Sequence, residues 1–301
     1  MTARDLGASV RQRLLNRARA QARPFQELLQ YYAMERFLYR LASSPHAELF
    51  VLKGALLLIA WRAPLSRPTL DIDFAGRTRN ELSHIRSVLQ DVCTSDVEPD
   101  GITFDADSLD VSRIKEAADY EGVRARFRAT LAGARIQMQI DVGFGDVIVP
   151  EPAEIEYPTL LDFPPPILRA YPREAVVAEK LEALTALGLF NSRLKDYFDL
   201  WLLSRLYAFE GPILVAAINA TFGRRGTQVD ALTAGLTDSF ASDPAKAMQW
   251  KAFLRRGGLS DQPHELIEVV TYLRAFASPP LSAAATGTEF RSAWPAGGPW
   301  I

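Results

Sequence analysis

The chain has 301 residues, a formal net charge of −2, and 48% hydrophobic and 23% charged residues. This composition predicts a folded protein and excludes the strong overall positive charge of a dedicated nucleic-acid-binding protein. The single cysteine, Cys93, excludes an intramolecular disulfide and favours a reducing compartment. The first residues lack the apolar segment of a signal peptide, and no apolar run is long enough to span a bilayer. We therefore expect a cytoplasmic protein without membrane contact.

Arginines are concentrated in two parts of the chain. Residues 1–43 contain eight arginines against three acidic residues, and Arg124, Arg126, Arg128 and Arg135 form a second cluster. Each cluster is compatible with binding to a polyanion and, equally, with solvent-exposed faces of helices and strands.

The first half of the chain predicts helices followed by a sheet. Helical periodicity over residues 6–43 predicts two helices separated by Pro24, because proline rarely lies inside a helix. Residues 50–61 predict a short strand and the start of a helix, with Gly54 at the junction. Alternating residues predict a strand at 69–76. Further predicted elements are a helix at 78–93, opened by a capping box at Thr78 and Glu81, and strands near 101–107, 109–115, 122–131 and 135–142.

In the second half of the chain, the sequence pattern predicts helices and no strands. Residues 151–172 hold six of the nineteen prolines and predict a connector. Helical patterns follow at 173–188, 194–209 and 212–223 and continue to about Ala277. We therefore predict an N-terminal α/β domain with leading helices (1–150), a connector (151–172) and a helical C-terminal domain (173–301). Trp294 and Trp300 are expected to hold the terminal segment against the helices.

The stretch RPTLDIDFAG, residues 67–76, places Asp71 and Asp73 on one side of the predicted strand, where their like charges repel unless a cation is bound. Asp141, on the predicted strand 135–142, supplies a third carboxylate. Clustered carboxylates suit Mg²⁺, and two such ions can serve phosphoryl transfer. Gly54 would allow a phosphate to approach the backbone closely. Neither a glycine-rich phosphate loop nor histidine spacing typical of zinc occurs in the sequence.

Five motifs occur along the chain in the order YYAMERFLYRLASSPHAELFVLKGALLL, RPTLDIDFAG, IDVGFGD, REAVVAEKLEAL and RLKDYFDLWLL. In these motifs and their order, the chain resembles the AbiEii/AbiGii-type toxin nucleotidyltransferases of the DNA polymerase β-like nucleotidyltransferase superfamily. The resemblance covers roughly residues 25–210. One departure is Ala55, which stands where many nucleotidyltransferases have serine or glycine after the glycine. Phosphate contacts there would depend on backbone N–H groups.

The resemblance assigns roles to individual residues. Asp71, Asp73 and Asp141 would be metal ligands and catalytic, with Asp141 also able to deprotonate the acceptor. Lys180 resembles the lysine that binds the nucleotide phosphates, and Asp196 the acid needed for activity. The residues expected to bind nucleotide are Lys53, Gly54, Ala55, Arg67, Thr69, Lys180, Arg193, Lys195 and Asp199.

Together these observations predict an α+β protein, with a mixed nucleotidyltransferase sheet behind N-terminal helices and a helical C-terminal half. The family implies transfer of a nucleoside monophosphate from an NTP, an EC 2.7.7-type reaction with Mg²⁺ or Mn²⁺ as cofactor. It implies toxin activity, tRNA or another RNA as acceptor, and a cognate antitoxin encoded nearby. Two alternatives stay open at this point. One is nucleotidylation of a protein or small molecule, and the other is a non-catalytic nucleotide-binding or protein-interaction module.

Overall fold

The computed structural model describes residues 3–63, 67–116, 120–259, 263 and 265–301. The chain divides into two compact units. Unit 1 consists of Met1–Arg62, Pro68–Gly145 and Ala153–Ala170, and unit 2 consists of Ala63–Arg67, Asp146–Pro152 and Tyr171–Ile301. Ala153–Ala170, which falls within the predicted connector, thus belongs to unit 1. The domain boundaries at residues 150 and 172 stay a prediction.

Unit 1 begins with the two predicted helices, α1 (Ala3–Ala20) and α2 (Phe25–Ala42). Pro24 lies immediately before α2 with φ −58°, where its missing N–H costs nothing. Most side chains of α2 are buried, including Tyr32 and Phe37. The helix is therefore a core element of unit 1, and the predicted division at Pro24 is confirmed.

A seven-stranded mixed sheet forms the rest of the core of unit 1. Its spatial order is β3-β4-β5-β2-β1-β7-β6. Only the β2–β5 and β1–β7 pairs are parallel. The remaining elements of unit 1, in chain order, are β1 (Phe50–Lys53), α3 (Leu56–Ala60), β2 (Ile72–Gly76), α4 (Leu82–Cys93), β3 (Ile102–Glu116), β4 (Tyr120–Leu131), β5 (Ala134–Phe144), β6 (Ala153–Glu156) and β7 (Ile167–Ala170).

Several boundaries in unit 1 differ from the predictions. Strand β2 begins at Ile72, so Thr69 and Asp71 precede the strand. Helix α4 begins at Leu82, and the hydroxyl of Thr78 contacts the His84 ring at 2.7 Å, so the predicted capping box does not form. The two strands predicted between 101 and 115 are one strand, β3, with an irregularity between Asp105 and Asp110. A bulge interrupts the alternation of residues without ending the strand, which explains the error.

The proline-rich residues 151–172 also contain regular structure. They include β6, at the edge of the sheet, and β7, which pairs with β6 and with β1. Both strands have only four residues, and the intervening loop contains four of the prolines. Short strands between prolines lack a detectable period, so the sequence predicted a connector here and not the two strands.

The arginine-rich N-terminal region supplies a buried ion network to unit 1. Arg40 donates two hydrogen bonds to Asp100, at 2.7 and 3.0 Å, and Arg36 donates a third at 3.1 Å. Glu35 accepts a hydrogen bond from the Leu160 N–H at 2.6 Å, and burial raises the pKa of Glu35 to about 7 despite this bond and the nearby arginines. Arg36 and Arg40 are therefore structural, and the interpretation of this cluster as a polyanion site fails for these two residues.

Unit 2 is mostly helical, as predicted. Its elements are α5 (Arg173–Leu187), α6 (Leu194–Leu206), β8 (Phe209–Glu210), α7 (Gly211–Arg225), α8 (Asp238–Ala241), α9 (Pro244–Gly257), α10 (Leu266–Thr286) and β9 (Ala293–Trp294). The indole N–H of Trp294 donates to the Ser204 carbonyl at 2.7 Å, and that of Trp300 to the Phe276 carbonyl at 2.9 Å. Both tryptophans therefore hold the terminal segment against the helices of unit 2. None of the helices in the described part of the chain is both long and apolar enough to cross a membrane.

Candidate active site

Three carboxylates meet on the sheet of unit 1. One oxygen from each of Asp71, Asp73 and Asp141 lies within 4.8 Å of the others. Asp73 and Asp141 are register partners in the parallel β2–β5 pair, so their side chains leave the same face of the sheet side by side. Asp71 lies two residues before Asp73, immediately ahead of β2. The sheet thus brings together residues that are seventy positions apart in sequence.

Gly54 lies against the Asp73 carboxylate. Lys53, the last residue of β1, is the antiparallel register partner of Asp73, and Gly54 then turns the chain towards α3 with φ +75°. A Cβ atom at position 54 would be 2.1 Å from Oδ2 of Asp73. Any other residue here would be strained and would also displace the carboxylate. Gly54 was predicted to let a phosphate approach the backbone. In the structure, glycine is required at this position because the Asp73 carboxylate occupies the space of a side chain.

Two residues of unit 1 orient Asp71. The hydroxyl of Thr69 donates a 2.5 Å hydrogen bond to Oδ1 of Asp71. The Thr69 N–H in turn donates to the hydroxyl of Tyr31 on α2 at 3.2 Å, and Thr69 itself is buried. This series of contacts holds Asp71 in position although it lies outside the strand. Thr69, predicted to bind nucleotide, contacts the carboxylate, and Tyr31 holds Thr69.

Arg124 is a residue of this site that the sequence did not single out. Its guanidinium donates to both oxygens of Asp141, at 2.7 and 2.6 Å, across the antiparallel β4–β5 pair. This bidentate pairing compensates part of the negative charge of the three carboxylates. The sequence showed only a cluster of arginines. Recognising Arg124 would have required the strand register, which fixes it opposite Asp141.

Asp73 and Asp141 open into a small cavity of about 90 Å³. The side chains of Lys53, Asp73 and Asp141 line it, together with Gly122 and Gly143 on neighbouring strands. A cavity of this size holds an ion or a phosphate group, whereas whole ligands usually need at least about 300 Å³. A larger cavity of about 320 Å³ elsewhere in unit 1 includes Arg40 and Asp100, which pair with each other, and contains none of the three carboxylates.

Unit 2 contains a separate buried cluster of predicted site residues. Nζ of Lys180 on α5 lies 2.8 Å from Oδ1 of Asp196 and 2.8 Å from Oδ2 of Asp199, both on α6. Asp199 also accepts two hydrogen bonds from Arg67, at 3.0 and 3.1 Å. Asp199, which is 2% exposed, thus bridges two cations. The protein itself therefore supplies two anionic partners to Lys180, the lysine that the resemblance assigns to the nucleotide phosphates.

The charges of this cluster stabilise one another. Burial alone would raise the pKa of Asp199, but Lys180 and Arg67 outweigh it and lower that pKa to about 2. Burial likewise opposes the charged form of Lys180, yet Asp196 and Asp199 raise its pKa above the ordinary value. For Asp196, Lys180 and Arg193 overcome the effect of burial and lower the pKa. All three groups are therefore charged near neutral pH.

Removing one carboxylate from this cluster should destabilise the protein strongly. We expect Asp199→Asn to lower the free energy of unfolding by about 3–5 kcal/mol, because two buried cations lose a charged partner. Since the folded pKa of Asp199 lies below its unfolded value near 4, its stabilisation is complete above about pH 4 and is lost as the pH falls towards 2. Urea denaturation between pH 7 and pH 3 measures both effects.

Glu289→Gln provides a matched control in unit 2, because Glu289 is 69% exposed and pairs only with Arg291 among the described residues. This substitution should change the free energy of unfolding by less than about 1 kcal/mol. Equal effects of the two substitutions would show that the pairing of Asp199 does not stabilise unit 2.

The predicted site residues therefore fall into two groups. Unit 1 brings together the three metal-ligand candidates with their neighbours Lys53, Gly54 and Thr69, and the buried Ala55 follows at the start of α3. Unit 2 links Lys180, Asp196, Asp199 and Arg67 by ion pairs, with Nε of Arg193 2.8 Å from Oδ2 of Asp196. Lys195 is exposed and makes no side-chain hydrogen bond or ion pair with the described residues.

A mixed sheet behind an N-terminal pair of helices, followed by a helical half, is the nucleotidyltransferase fold that the sequence predicted. The family model described as nucleotidyl transferase AbiEii toxin, type IV toxin–antitoxin system, matches residues 36–278. The chain belongs to this family of toxin nucleotidyltransferases. Membership implies a nucleotide substrate and a cognate antitoxin.

Two solved structures from Helicobacter pylori are similar to this chain. One is provisionally named as a nucleotidyltransferase; it has 17% identity and a TM-score of 0.49, over 88% of this chain and 99% of its own. The other, JHP933, also has 17% identity, with a TM-score of 0.48, over 87% of this chain and 93% of its own. No protein of curated function matches the sequence.

Proposed function

We propose that this toxin transfers a nucleoside monophosphate from an NTP to the 3′ end of tRNA, in a reaction that depends on Mg²⁺ or Mn²⁺. The observation that carries the proposal is the meeting of Asp71, Asp73 and Asp141 within 4.8 Å on the sheet of an AbiEii-family chain. The reaction is of the EC 2.7.7 type, takes place in the cytoplasm and would block translation.

The three carboxylates suit a divalent cation. They supply only oxygen donors, which Mg²⁺ and Mn²⁺ prefer, and three negative charges so close together are costly without a counter-charge. Asp71, Asp73 and Asp141 would hold the ion. When bound, a divalent cation stabilises the negative charge that develops on the phosphoryl oxygens.

The transfer makes one bond and breaks one. The acceptor hydroxyl oxygen forms a bond to the α-phosphorus, and the bond from the α-phosphorus to the bridging oxygen breaks. Its electron pair leaves with pyrophosphate, while the hydroxyl proton passes to Asp141 or to water. Lys53 lines the same cavity as Asp73 and Asp141 and would contribute positive charge to phosphate binding. The same proposal includes nucleotide binding by Ala55 and, in unit 2, by Arg67, Lys180, Arg193, Lys195 and Asp199. It also includes the catalytic roles of Lys180 and Asp196.

An RNA acceptor needs to insert only its reacting end at the carboxylates, because a macromolecule is held mainly by its surface. The cavity of about 90 Å³ beside Asp73 and Asp141 has room for a phosphate group. The second arginine cluster adds less support than its composition suggested, because Arg124 pairs with Asp141 and Arg128 with Asp105.

Incubation of the purified protein with Mg²⁺, total bacterial tRNA and each α-labelled NTP in turn tests the proposal. We expect label on tRNA with one of the nucleotides, in the 3′-terminal fragment after nuclease digestion. The label should disappear when EDTA removes the metal.

The same assay separates the alternatives. Label on a protein or a small molecule, and none on tRNA, would overturn tRNA as the acceptor and leave nucleotidyl transfer intact. If the protein labels no acceptor in a cell extract and still arrests growth, the proposal of catalysis would be overturned in favour of a non-catalytic binding module.

A further inference from the structure

The turn between α5 and α6 displays an aromatic ring to solvent. Phe190 ends the short turn Gly188–Phe190 and is 92% exposed, and Leu189 beside it is 51% exposed. The ring makes no aromatic contact with the described residues. Burying a phenylalanine typically contributes about 1.5–3 kcal/mol, so this segment forgoes stabilisation that most phenylalanines provide. Phe190 and Leu189 together form a small exposed apolar surface on this turn.

Hydrogen bonds fix the turn that carries Phe190. The next residue, Asn191, is fully buried and donates its N–H to the Gly188 carbonyl at 3.2 Å. The side-chain oxygen of Asn191 accepts the Arg193 N–H at 2.8 Å, and its carbonyl accepts from Nζ of Lys246 at 2.6 Å. The buried asparagine therefore anchors the turn, and the neighbouring ring is held outward by an ordered backbone.

The exposed side chains that follow Phe190 in the sequence are cationic or small. Ser192, Arg193 and Lys195 are exposed, whereas Asn191, Leu194 and Asp196 are buried, so this segment presents no acidic group to solvent. The side chain of Arg193 is 46% exposed even though its Nε faces Asp196. An aromatic ring followed within five residues by two exposed cations combines a stacking surface with phosphate-binding charge. Single-stranded nucleic acid is recognised by this combination, because every base has a stacking face and every nucleotide a phosphate.

We infer that Phe190 stacks on an unpaired base of the acceptor RNA, while Arg193 and Lys195 bind the adjoining phosphates. This inference rests on the proposed function, since it names how that function's acceptor is held, and it reassigns Arg193 and Lys195 from the NTP to the acceptor RNA. It assigns Phe190 a role that no motif of the sequence indicated. It also accounts for the exposure of Lys195, which makes no ion pair in the described part of unit 2.

The test measures RNA binding separately from transfer. Fluorescence anisotropy with the full-length protein and a labelled eight-nucleotide single-stranded RNA gives the dissociation constant without NTP. We expect Phe190→Leu to weaken binding about 5- to 100-fold, because leucine keeps the apolar surface and removes the stacking ring. Phe190→Trp should bind at least as tightly as the original protein. Ile213→Ala, at an exposed apolar position of α7 in the same unit, should leave binding unchanged.

Steady-state kinetics then distinguish whether Phe190 stacks on a base of the acceptor RNA or on the base of the NTP. A raised KM for tRNA with an unchanged KM for NTP in Phe190→Leu supports the acceptor RNA. A raised KM for NTP alone would assign the ring to the nucleotide substrate and overturn the inference. Equal RNA affinity of Phe190→Leu and the original protein would also overturn it, as would the absence of RNA binding by the original protein. If RNA binding depends on Phe190 and no transfer is found, the inference stands and the proposed reaction fails.

Discussion

Replacing Asp73 with asparagine is expected to reduce nucleotide transfer by roughly 10³-fold, equivalent to about 4 kcal/mol of transition-state stabilisation. Asp73 lies between the other two carboxylates of the site, since it is the register partner of Asp141 and lies two residues after Asp71. Asparagine keeps the shape of the side chain but removes one of the three charges that would hold the cation. Transfer of label to tRNA and Mn²⁺ binding by calorimetry are both expected to fall.

Stability distinguishes a loss of chemistry from a loss of folding. Asparagine is nearly isosteric with aspartate, so Asp73→Asn in EDTA should still fold and unfold in one cooperative thermal transition like that of the original protein. Asp110→Asn, at an exposed position of β3 in the same sheet, provides a control that should retain full activity. Activity of Asp73→Asn within threefold of this control would show that Asp73 is not required for the reaction.

Replacing Gly54 with alanine is expected to have the second largest effect, a loss of transfer of roughly 10²-fold with a measurable loss of stability. The new Cβ would lie 2.1 Å from Oδ2 of Asp73 and 2.8 Å from its Cβ, so the carboxylate must move. Displacing a reacting group by about 1 Å typically costs a factor of about 10² in rate. The positive φ of Gly54 adds strain of about 1–2 kcal/mol for any residue with a Cβ.

Gly133→Ala separates these two contributions. Gly133, in the turn between β4 and β5, has φ +82° and would place a Cβ with no atom within 4 Å. This substitution should carry the backbone strain alone and leave transfer unchanged. If Gly54→Ala is no less active than Gly133→Ala, then close contact with Asp73 is not the reason for glycine at position 54.

Local elements of this fold could be predicted because their signals are local. Pro24 separates α1 from α2, and the alternation of residues 136–142 predicts β5. The junction at Gly54 is also read from neighbouring residues. Predictions from local sequence failed where a contact with a residue outside the local pattern was formed instead, or where the strand was irregular. Thr78 binds the His84 ring instead of capping a helix, and β3 continues through its bulge.

The grouping of Asp71, Asp73 and Asp141 was predicted from pattern and family resemblance, and the structure brings these residues together. Their roles as metal ligands stay a proposal. The partners of these residues could not be predicted, because a partner depends on strand register and helix packing. Arg124 faces Asp141 only through the β4–β5 register, and Tyr31 reaches Thr69 only because α2 packs in unit 1.

The sequence by itself therefore determined most of the helices, the strands that carry the candidate site, the family and the residues that carry candidate chemistry, since each depends on short-range periodicity or on contiguous motifs. Only the tertiary structure decided which charged side chains form ion pairs inside the protein and which side chains stay exposed. It buried Arg36 and Arg40 against Asp100, joined Lys180 and Arg67 through Asp199, and left Phe190 exposed. The physical reason is that burial and pairing are properties of the environment around a side chain, and residues distant in the sequence create that environment.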